Sequence, residues 1–285
     1  MTHPPRLIAV GDNCLDVYLT KNHMAVGGNA LNVAAQWARQ GRAVRYFGVV
    51  GGDAEGELIC AALAGTGLDP ADVERRPGST AVTLLLERDG DRRFLLEDLG
   101  VGQGYVPDAP RRAAMLAADW VHLGTNTAPD LLAFLAGQGA RFSIDLSTRP
   151  DDLPLTGVPL AFASGPEAAG VPVGPLLQAL RGRGAACAVV TCGSRGAFLD
   201  AGAGVVAMPA RPVAVVDTCG AGDSFIASFI AAAVIEGRPA EEALRQATAA
   251  AAATCGHEGG FPQPLNPIPA WLFDKYADVI ATAEH

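Results

Sequence analysis

The strongest constraint on the fold of this chain is a recurrence of short apolar runs, at 7–10, 44–49, 120–123, 142–146, 160–163 and 188–191, separated by helix-like or loop stretches. The runs are nearly all apolar on consecutive residues, so both faces of each strand must be buried. Strands of that kind joined by helix-length connections read as βαβ units in a mostly parallel sheet. The pattern predicts helices over 29–40, 55–64, 129–138, 175–181, 224–236 and 240–254. At 285 residues, with 49% hydrophobic and 18% charged side chains, the chain suits one large α/β domain with an appendage.

One region breaks the rhythm. Strand-like segments at 80–87 and 92–97 flank Arg88-Asp89-Gly90-Asp91, and an Asp-Gly pair there signals a hairpin. With an extended piece near 15–20, these strands are expected to form a small sheet outside the main one, a lid subregion spanning about 12–24 and 79–98. An antiparallel edge of the main sheet is the other reading. Val82, Leu84 and Leu86 alternate on one face of the segment and need cover.

Several classes of function are excluded early. A net charge of −9 argues against a general nucleic-acid surface, so any anion must be bound locally. The six cysteines form no C-x-x-C pair and no metal-like spacing with histidine, so free thiols are expected. Neither an export signal nor a membrane-spanning run is visible, which points to a soluble, cytoplasmic protein without a membrane partner. Lys21 and Lys275 are the only lysines and neither follows a G-x-x-x-x-G-K-[ST] loop, so P-loop chemistry is out. The first strand runs into Gly11-Asp12-Asn13-Cys14-Leu15-Asp16, which is not the dinucleotide fingerprint G-x-G-x-x-G.

Val215-Val216-Asp217-Thr218-Cys219-Gly220-Ala221-Gly222-Asp223-Ser224-Phe225 places two glycines and a carboxylate at the start of an apolar helix. Small residues there let unpaired N–H groups of the first turn approach an anion, and the helix dipole favours negative charge. Asp223 would repel a bound phosphate, which suits a base that takes a proton from an attacking hydroxyl. Read alone, the segment is equally a helix opened by Gly with Asp complementing the dipole. Asp12 and Asp16 follow the first buried strand, where ligands of open α/β sheets sit, and two carboxylates suit the hydroxyls of a polyol. Gly27-Gly28-Asn29-Ala30-Leu31-Asn32 leads a helix with two amides in its first turn. A neutral, hydroxyl-rich ligand fits those groups, and a simple helix cap by Asn29 fits as well.

These two segments, with Ala34-Ala35, Gly41 and Gly48-Val49-Val50-Gly51-Gly52-Asp53-Ala54-Glu55-Gly56, occur in the order and separation of the ribokinase (PfkB) family of carbohydrate kinases, which the chain resembles from about residue 7 to 260. Within that family, the stretches around Asp12, Gly28 and Asp217 look closest to fructoselysine 6-kinases, which phosphorylate the 6-hydroxyl of a fructosamine. The resemblance implies a three-layer α/β/α domain with a small β-sheet lid, ATP as phosphoryl donor and Mg2+ as helper. It implies Asp223 as the catalytic base and the amides of Gly220, Ala221 and Gly222 as the anion hole. Asp12, Asp16, Gly27, Gly28, Asn29 and Asn32 then fall to the sugar. Thr191-Cys192-Gly193-Ser194-Arg195-Gly196 resembles the family's nucleotide loop, so Thr191, Gly193 and Gly196 join Thr218, Gly220 and Gly222 at the nucleotide; without the family context the hexapeptide reads as an ordinary turn.

Asp145 and Glu167 are the carboxylates expected around Mg2+, in segments where Ser147 and Ser164 replace an Asn common in the family. Gly256, in Gly256-His257-Glu258-Gly259-Gly260, is expected to border the adenine or a K+ site, or simply to end a helix. Arg93 on the hairpin is a candidate for a substrate phosphate or carboxylate, and an exposed surface arginine is the other reading. His122 is either a pocket wall or a core histidine. Lid strands in this family often pair across a dimer, so a homodimer is expected through the lid. The residues fit equally a kinase for ribose, fructose, a 2-keto-3-deoxy acid or a nucleoside, and a catalytically silent sugar sensor of the same fold remains the rival from another class.

Overall fold

A computed structural model of the chain describes residues 4–88, 91–147, 149 and 153–282; the side chains of 87, 88, 91 and 92 fall outside that description. The chain opens with β1 (Arg6–Val10), β2 (Cys14–Tyr18), β3 (His23–Gly27) and α1 (Asn29–Arg39), then β4 (Ala43–Phe47), β5 (Val49–Gly51), α2 (Ala54–Ala64) and β6 (Glu74–Arg76). The middle holds β7 (Val82–Arg88), β8 (Asp91–Asp98), α3 (Ala109–Leu116), β9 (Trp120–Leu123), α4 (Pro129–Gly137), β10 (Phe142–Asp145), β11 (Leu160–Ser164), α5 (Gly174–Gly182) and β12 (Ala188–Thr191). After β13 (Ala197–Asp200) and β14 (Val205–Met208) come α6 (Ala221–Phe229), α7 (Ala240–Thr254), β15 (Asn266–Pro267), α8 (Ala270–Lys275) and α9 (Ala277–Ala281).

The main sheet has the order β14-β13-β12-β11-β10-β9-β1-β4, parallel from β4 to β12 with two antiparallel strands at one edge. Its apolar strands feed two cores. In β1, Leu7 and Ala9 join a cluster that includes α1, α6 and α7, whereas Ile8 and Val10 join one that includes α3, α4 and α5. Alternate residues of one strand thus bury against helices on opposite faces, which is why the strand reads as a continuous apolar run. All four residues of β9 and of β10 are buried for the same reason.

The apolar run at 44–49 is two strands, β4 and β5, broken at Gly48, where an added Cβ would lie 2.1 Å from the Tyr46 hydroxyl. The helix expected over 224–236 begins earlier, at Ala221, and widens after Phe229 into a π turn, Ile230–Ile235, in which Glu236 N–H bonds the Ala231 carbonyl. That earlier start puts Asp223 inside the first helical turn.

A second sheet, β15-β3-β2-β7-β8, stands apart from the first. Asp89 and Gly90, on which the hairpin expectation rests, lie outside the described residues; the strands on either side pair antiparallel, with an irregularity between Leu84 and Leu85. Val82 and Leu84 are fully buried, and they belong to the same core as α1 and α2. The cover that this apolar face needs comes largely from within the chain. Among the described residues of this sheet, the large exposed hydrophobic side chain is Phe94, 64% exposed.

The Gly51-Gly52-Asp53-Ala54-Glu55-Gly56 motif anchors this sheet. Asp53 caps α2 by accepting from Gly56 N–H at 3.0 Å, and it also accepts from the Thr80 N–H at 2.8 Å and the Thr80 hydroxyl at 2.5 Å. Gly51 N–H donates in turn to Thr80 Oγ1 at 2.8 Å. Thr80 is buried two residues before β7, so its hydroxyl both gives and receives where water cannot substitute. Thr80→Val should therefore cost about 1–3 kcal/mol in urea unfolding, and Thr80→Ser much less; equal losses for the two would show that only the methyl group matters.

Candidate active site

Strand β1 ends at Val10, and both carboxylate oxygens of Asp12 accept from the start of α1: Oδ2 from Asn29 N–H at 2.9 Å, Oδ1 from Ala30 N–H at 3.4 Å. Gly28, at φ 107°, precedes the helix, and a Cβ there would lie 2.5 Å from the Asn13 Cα. The cap foreseen for the Asn29 side chain thus comes from Asp12, and the Asn29 amide points elsewhere. Its Nδ2 donates to Asp223 Oδ1 at 2.5 Å and to Asp145 Oδ2 at 2.9 Å. One turn later, Asn32 Nδ2 donates to Asp223 Oδ2 at 2.7 Å. The carbonyl oxygens of both amides are buried and have no partner among the described residues.

Asp223, only 8% exposed, receives two amide donors and has lone pairs left for a hydroxyl. Burial pushes its carboxyl well above the carboxylate range, and the charges of Asp145 and Asp12 push the same way against the amides of Asn32 and Asn29. Asp145, likewise buried, is raised to about 6 by desolvation, although Ser147 N–H and Asn29 bond it. Ser147 adopts φ 47°, a left-handed conformation that Asn tolerates better than Ser.

The loop before α6 is shaped by Asp217. Its Oδ1 accepts from Cys219 N–H at 3.0 Å, and its Oδ2 from Gly259 N–H at 3.0 Å and the Tyr18 hydroxyl at 3.2 Å. Gly220 sits at φ 69° with the backbone of Gly260 against it; an added Cβ would lie 2.3 Å from the Gly260 Cα. Ala221 N–H closes a turn on the Thr218 carbonyl at 3.3 Å, so of the three expected anion donors it is already engaged. Behind the loop, Gln36 donates to Ser224 Oγ at 2.8 Å and to the Gly260 carbonyl at 3.1 Å.

Two cavities flank this turn. The larger, about 810 Å³, is lined by Thr191, Gly193, Gly196, Thr218, Ala221 and Gly222, with Glu167, Val213 and Val215 also on its wall. Gly193 abuts the Glu167 carboxyl, and a Cβ on Gly196 would strike the Met208 carbonyl. The smaller cavity, about 540 Å³, lies between the sheets and is lined by Asp12, Asn13, Gly28 and Cys219 from below and by Asp16, Thr83, Leu85, Phe94 and Glu97 from the second sheet. Asp223 follows Gly222 of the first cavity and bonds Asn29, the neighbour of Gly28 of the second.

The remaining expected residues divide. Gly27 makes room for Asp16, whose Oδ2 would lie 2.5 Å from a Cβ at that position, and lines neither cavity. Asn32 reaches Asp223 and is likewise absent from the smaller cavity's wall. Arg93 is exposed and lines neither cavity; strand alternation turns it to the opposite face from Phe94, which does. Gly256 closes the end of α7 by bonding the Ala253 carbonyl, outside the larger cavity's wall. His122 is a core residue: it bonds Ser143 Oγ between Trp37 and Phe162, and burial lowers it to about 3. Of Asp145-Leu146-Ser147-Thr148-Arg149-Pro150, Thr148 and Pro150 lie outside the described residues. Asp217, Tyr18, Gln36 and Glu97 were not anticipated. Asp217 stood in the glycine motif, but the two partners of its Oδ2 lie 42 and 199 residues away and leave no local signal.

A mostly parallel α/β sheet, a glycine turn opening a helix between two cavities and a buried carboxylate in that helix's first turn define a phosphotransferase of ribokinase-like architecture. The model of the pfkB family of carbohydrate kinases matches residues 6–129 and 167–265, and the chain belongs to that family. It is 33% identical to the fructosamine kinase FrlD of Bacillus subtilis, over 90% of this chain and 93% of that one. It is 34% identical to the fructoselysine 6-kinase of Escherichia coli, over 90% and 99%. Among solved structures, Arabidopsis thaliana ribokinase complexed with ribose and ATP superposes with a TM-score of 0.79 at 22% identity, covering 92% of this chain and 96% of that one. No helix among the described residues is long and apolar enough to cross a membrane.

The crowding at Gly220 and its absence at Gly222, where a Cβ would meet nothing within 4 Å, give a paired test. Gly220→Ala should lose about 1–3 kcal/mol of stability, through forced backbone strain and contact, together with at least a tenfold loss of activity. Gly222→Ala should leave chemical denaturation within about 1 kcal/mol of the parent. Equal stability for the two variants would remove close packing as the reason for glycine at 220.

Proposed function

We propose that this kinase transfers the γ-phosphoryl group of ATP to the 6-hydroxyl of a fructosamine, with Asp223 as general base. The observation that carries the reading is the position of Asp223, between a cavity with the size and glycine lining for a nucleotide and one rimmed by carboxylates and amides. The named activities of the two curated relatives support the substrate class.

In this reading the sugar lies in the smaller cavity. The carbonyl oxygen of Asn13, on that cavity's wall and without a partner among the described residues, accepts from a sugar hydroxyl. The Nδ2 groups of Asn29 and Asn32, behind the wall, hold the Asp223 carboxylate toward the 6-hydroxyl. As the hydroxyl oxygen attacks phosphorus, its proton passes to Asp223, and N–H groups at the glycine turn stabilise charge on the moving phosphoryl group. Among the described residues no group of three or more His, Cys, Asp or Glu side chains is arranged to hold a metal. Mg2+ commonly takes most of its ligands from water and substrate phosphates, and Glu167, on the wall of the larger cavity, fits that mode. Asp145 gives both its oxygens to protein donors and fits less directly. When bound, Mg2+ would neutralise charge on the donor phosphates. The second sheet acts as a lid over the smaller cavity, keeping water from the phosphoryl group.

Asp223→Asn should lower kcat by about 10²–10⁴ with substrate binding and folding largely kept. ADP release measured over a panel of fructosamines, fructose, ribose, 2-keto-3-deoxy acids and nucleosides checks the substrate. Activity of the variant above about a tenth of the parent would remove Asp223 as the base, and silence of the parent on every sugar would favour a sensor.

The base must be ionised to act, and burial raises its pKa, so kcat/KM should fall as pH drops through a value above the ordinary carboxylate range. The Asn32 amide opposes that rise by bonding the charged form. Asn32→Leu should therefore move the acid limb to higher pH, read from pH–rate profiles; a limb that stays put would show that Asn32 does not act on the base.

A further inference from the structure

Resting on the fructosamine reading, we infer that Glu97 is the specificity-determining residue for the amine of the substrate, its carboxylate pairing with the secondary ammonium at C1. A ketose that presents its 6-hydroxyl to Asp223 has C1 at the opposite end of the molecule. Cys219 and Gly28 mark the Asp223 end of the smaller cavity, and the second sheet forms its roof. The C1 substituent therefore emerges beneath the roof, where Glu97 and Phe94 line the wall.

The carboxylates of this wall are not equivalent. Asp12 is committed to the two N–H groups of α1, and Asp98 accepts from Gly100 N–H at 2.9 Å. Glu97 has no hydrogen-bond or ion-pair partner among the described residues. It stands opposite Thr83 in the sheet register, and both side chains face the cavity. Its charge reaches far enough inward to help raise the Asp12 carboxyl, after burial has done most of that work. The wall carries Asp12, Asp16, Glu97 and Asp98 against the single cation Arg149, which already donates to Asn126 Oδ1. A neutral sugar gains nothing from this excess of negative charge, whereas a protonated secondary amine is attracted by it. Phe94, 64% exposed at the same rim, offers apolar surface to the carbon chain that follows the nitrogen.

The test compares Glu97→Gln with the parent on two probes, fructoselysine and unsubstituted fructose, in steady-state assays of ADP release. Glu97 is exposed, so the variant should melt as the parent does. KM for fructoselysine should rise roughly tenfold with kcat within about threefold, while both constants for fructose stay unchanged. Added salt should raise the parent's KM for fructoselysine and leave that for fructose alone, because an exposed pair is screened. An unchanged KM for fructoselysine, or equal losses on both sugars, overturns the role of Glu97 while the fructosamine reading stands. A parent that phosphorylates fructose or ribose but not fructoselysine overturns the fructosamine reading, and the role of Glu97 with it.

Discussion

One amide holds this site together. Asn29 Nδ2 donates to two buried carboxylates, Asp145 at the end of β10 and Asp223 in the first turn of α6, which the chain separates by 78 positions. Without donors between them, two such groups out of water would repel each other and take up protons. The amide can stand there because Asp12 has taken over the capping of α1 and freed the Asn29 side chain. Strand β1, helix α1, strand β10 and helix α6 therefore meet at a single side chain.

On the proposed reading, the same arrangement explains why a carboxyl so far from its normal pKa is useful. Burial makes Asp223 a stronger base than a surface aspartate, while Asn29 and Asn32 keep its ionised form within reach. A purely structural carboxylate would be expected to pair with a cation, yet among the described residues Asp223 is bonded only to neutral amides whose other ends are unsatisfied. Such a group is expensive to fold around, and function is the usual reason that the expense persists.

The parallel sheet was legible because strands buried on both faces must be apolar at every position, and β1 supplies both cores with alternate residues. Helix α7 was legible to the residue from its periodicity and alanine content. Strands β13, β14 and β15 and helices α3, α8 and α9 were not, since they are short or half-exposed and carry weak patterns. At the site, the glycine and aspartate positions could be read because small residues and a carboxylate opening an apolar helix stand out in the sequence; the structure adds a positive φ and a backbone neighbour at Gly220. The partners of those residues could not. That Asp12 caps α1, or that Tyr18 reaches Asp217, depends on elements brought together only by folding. Phe94 rather than Arg93 faces the cavity because of strand phase, which a bulge between Leu84 and Leu85 makes hard to count from sequence.

Tyr18 has a consequence of its own. It belongs to a strand of the roof over the smaller cavity, yet its hydroxyl ends on the carboxylate that also fixes Cys219 and Gly259 around the glycine turn. The roof cannot shift at this strand without disturbing a contact of that turn. A displacement of that strand is therefore carried, through one phenol, to the residues that fix the backbone around Gly220.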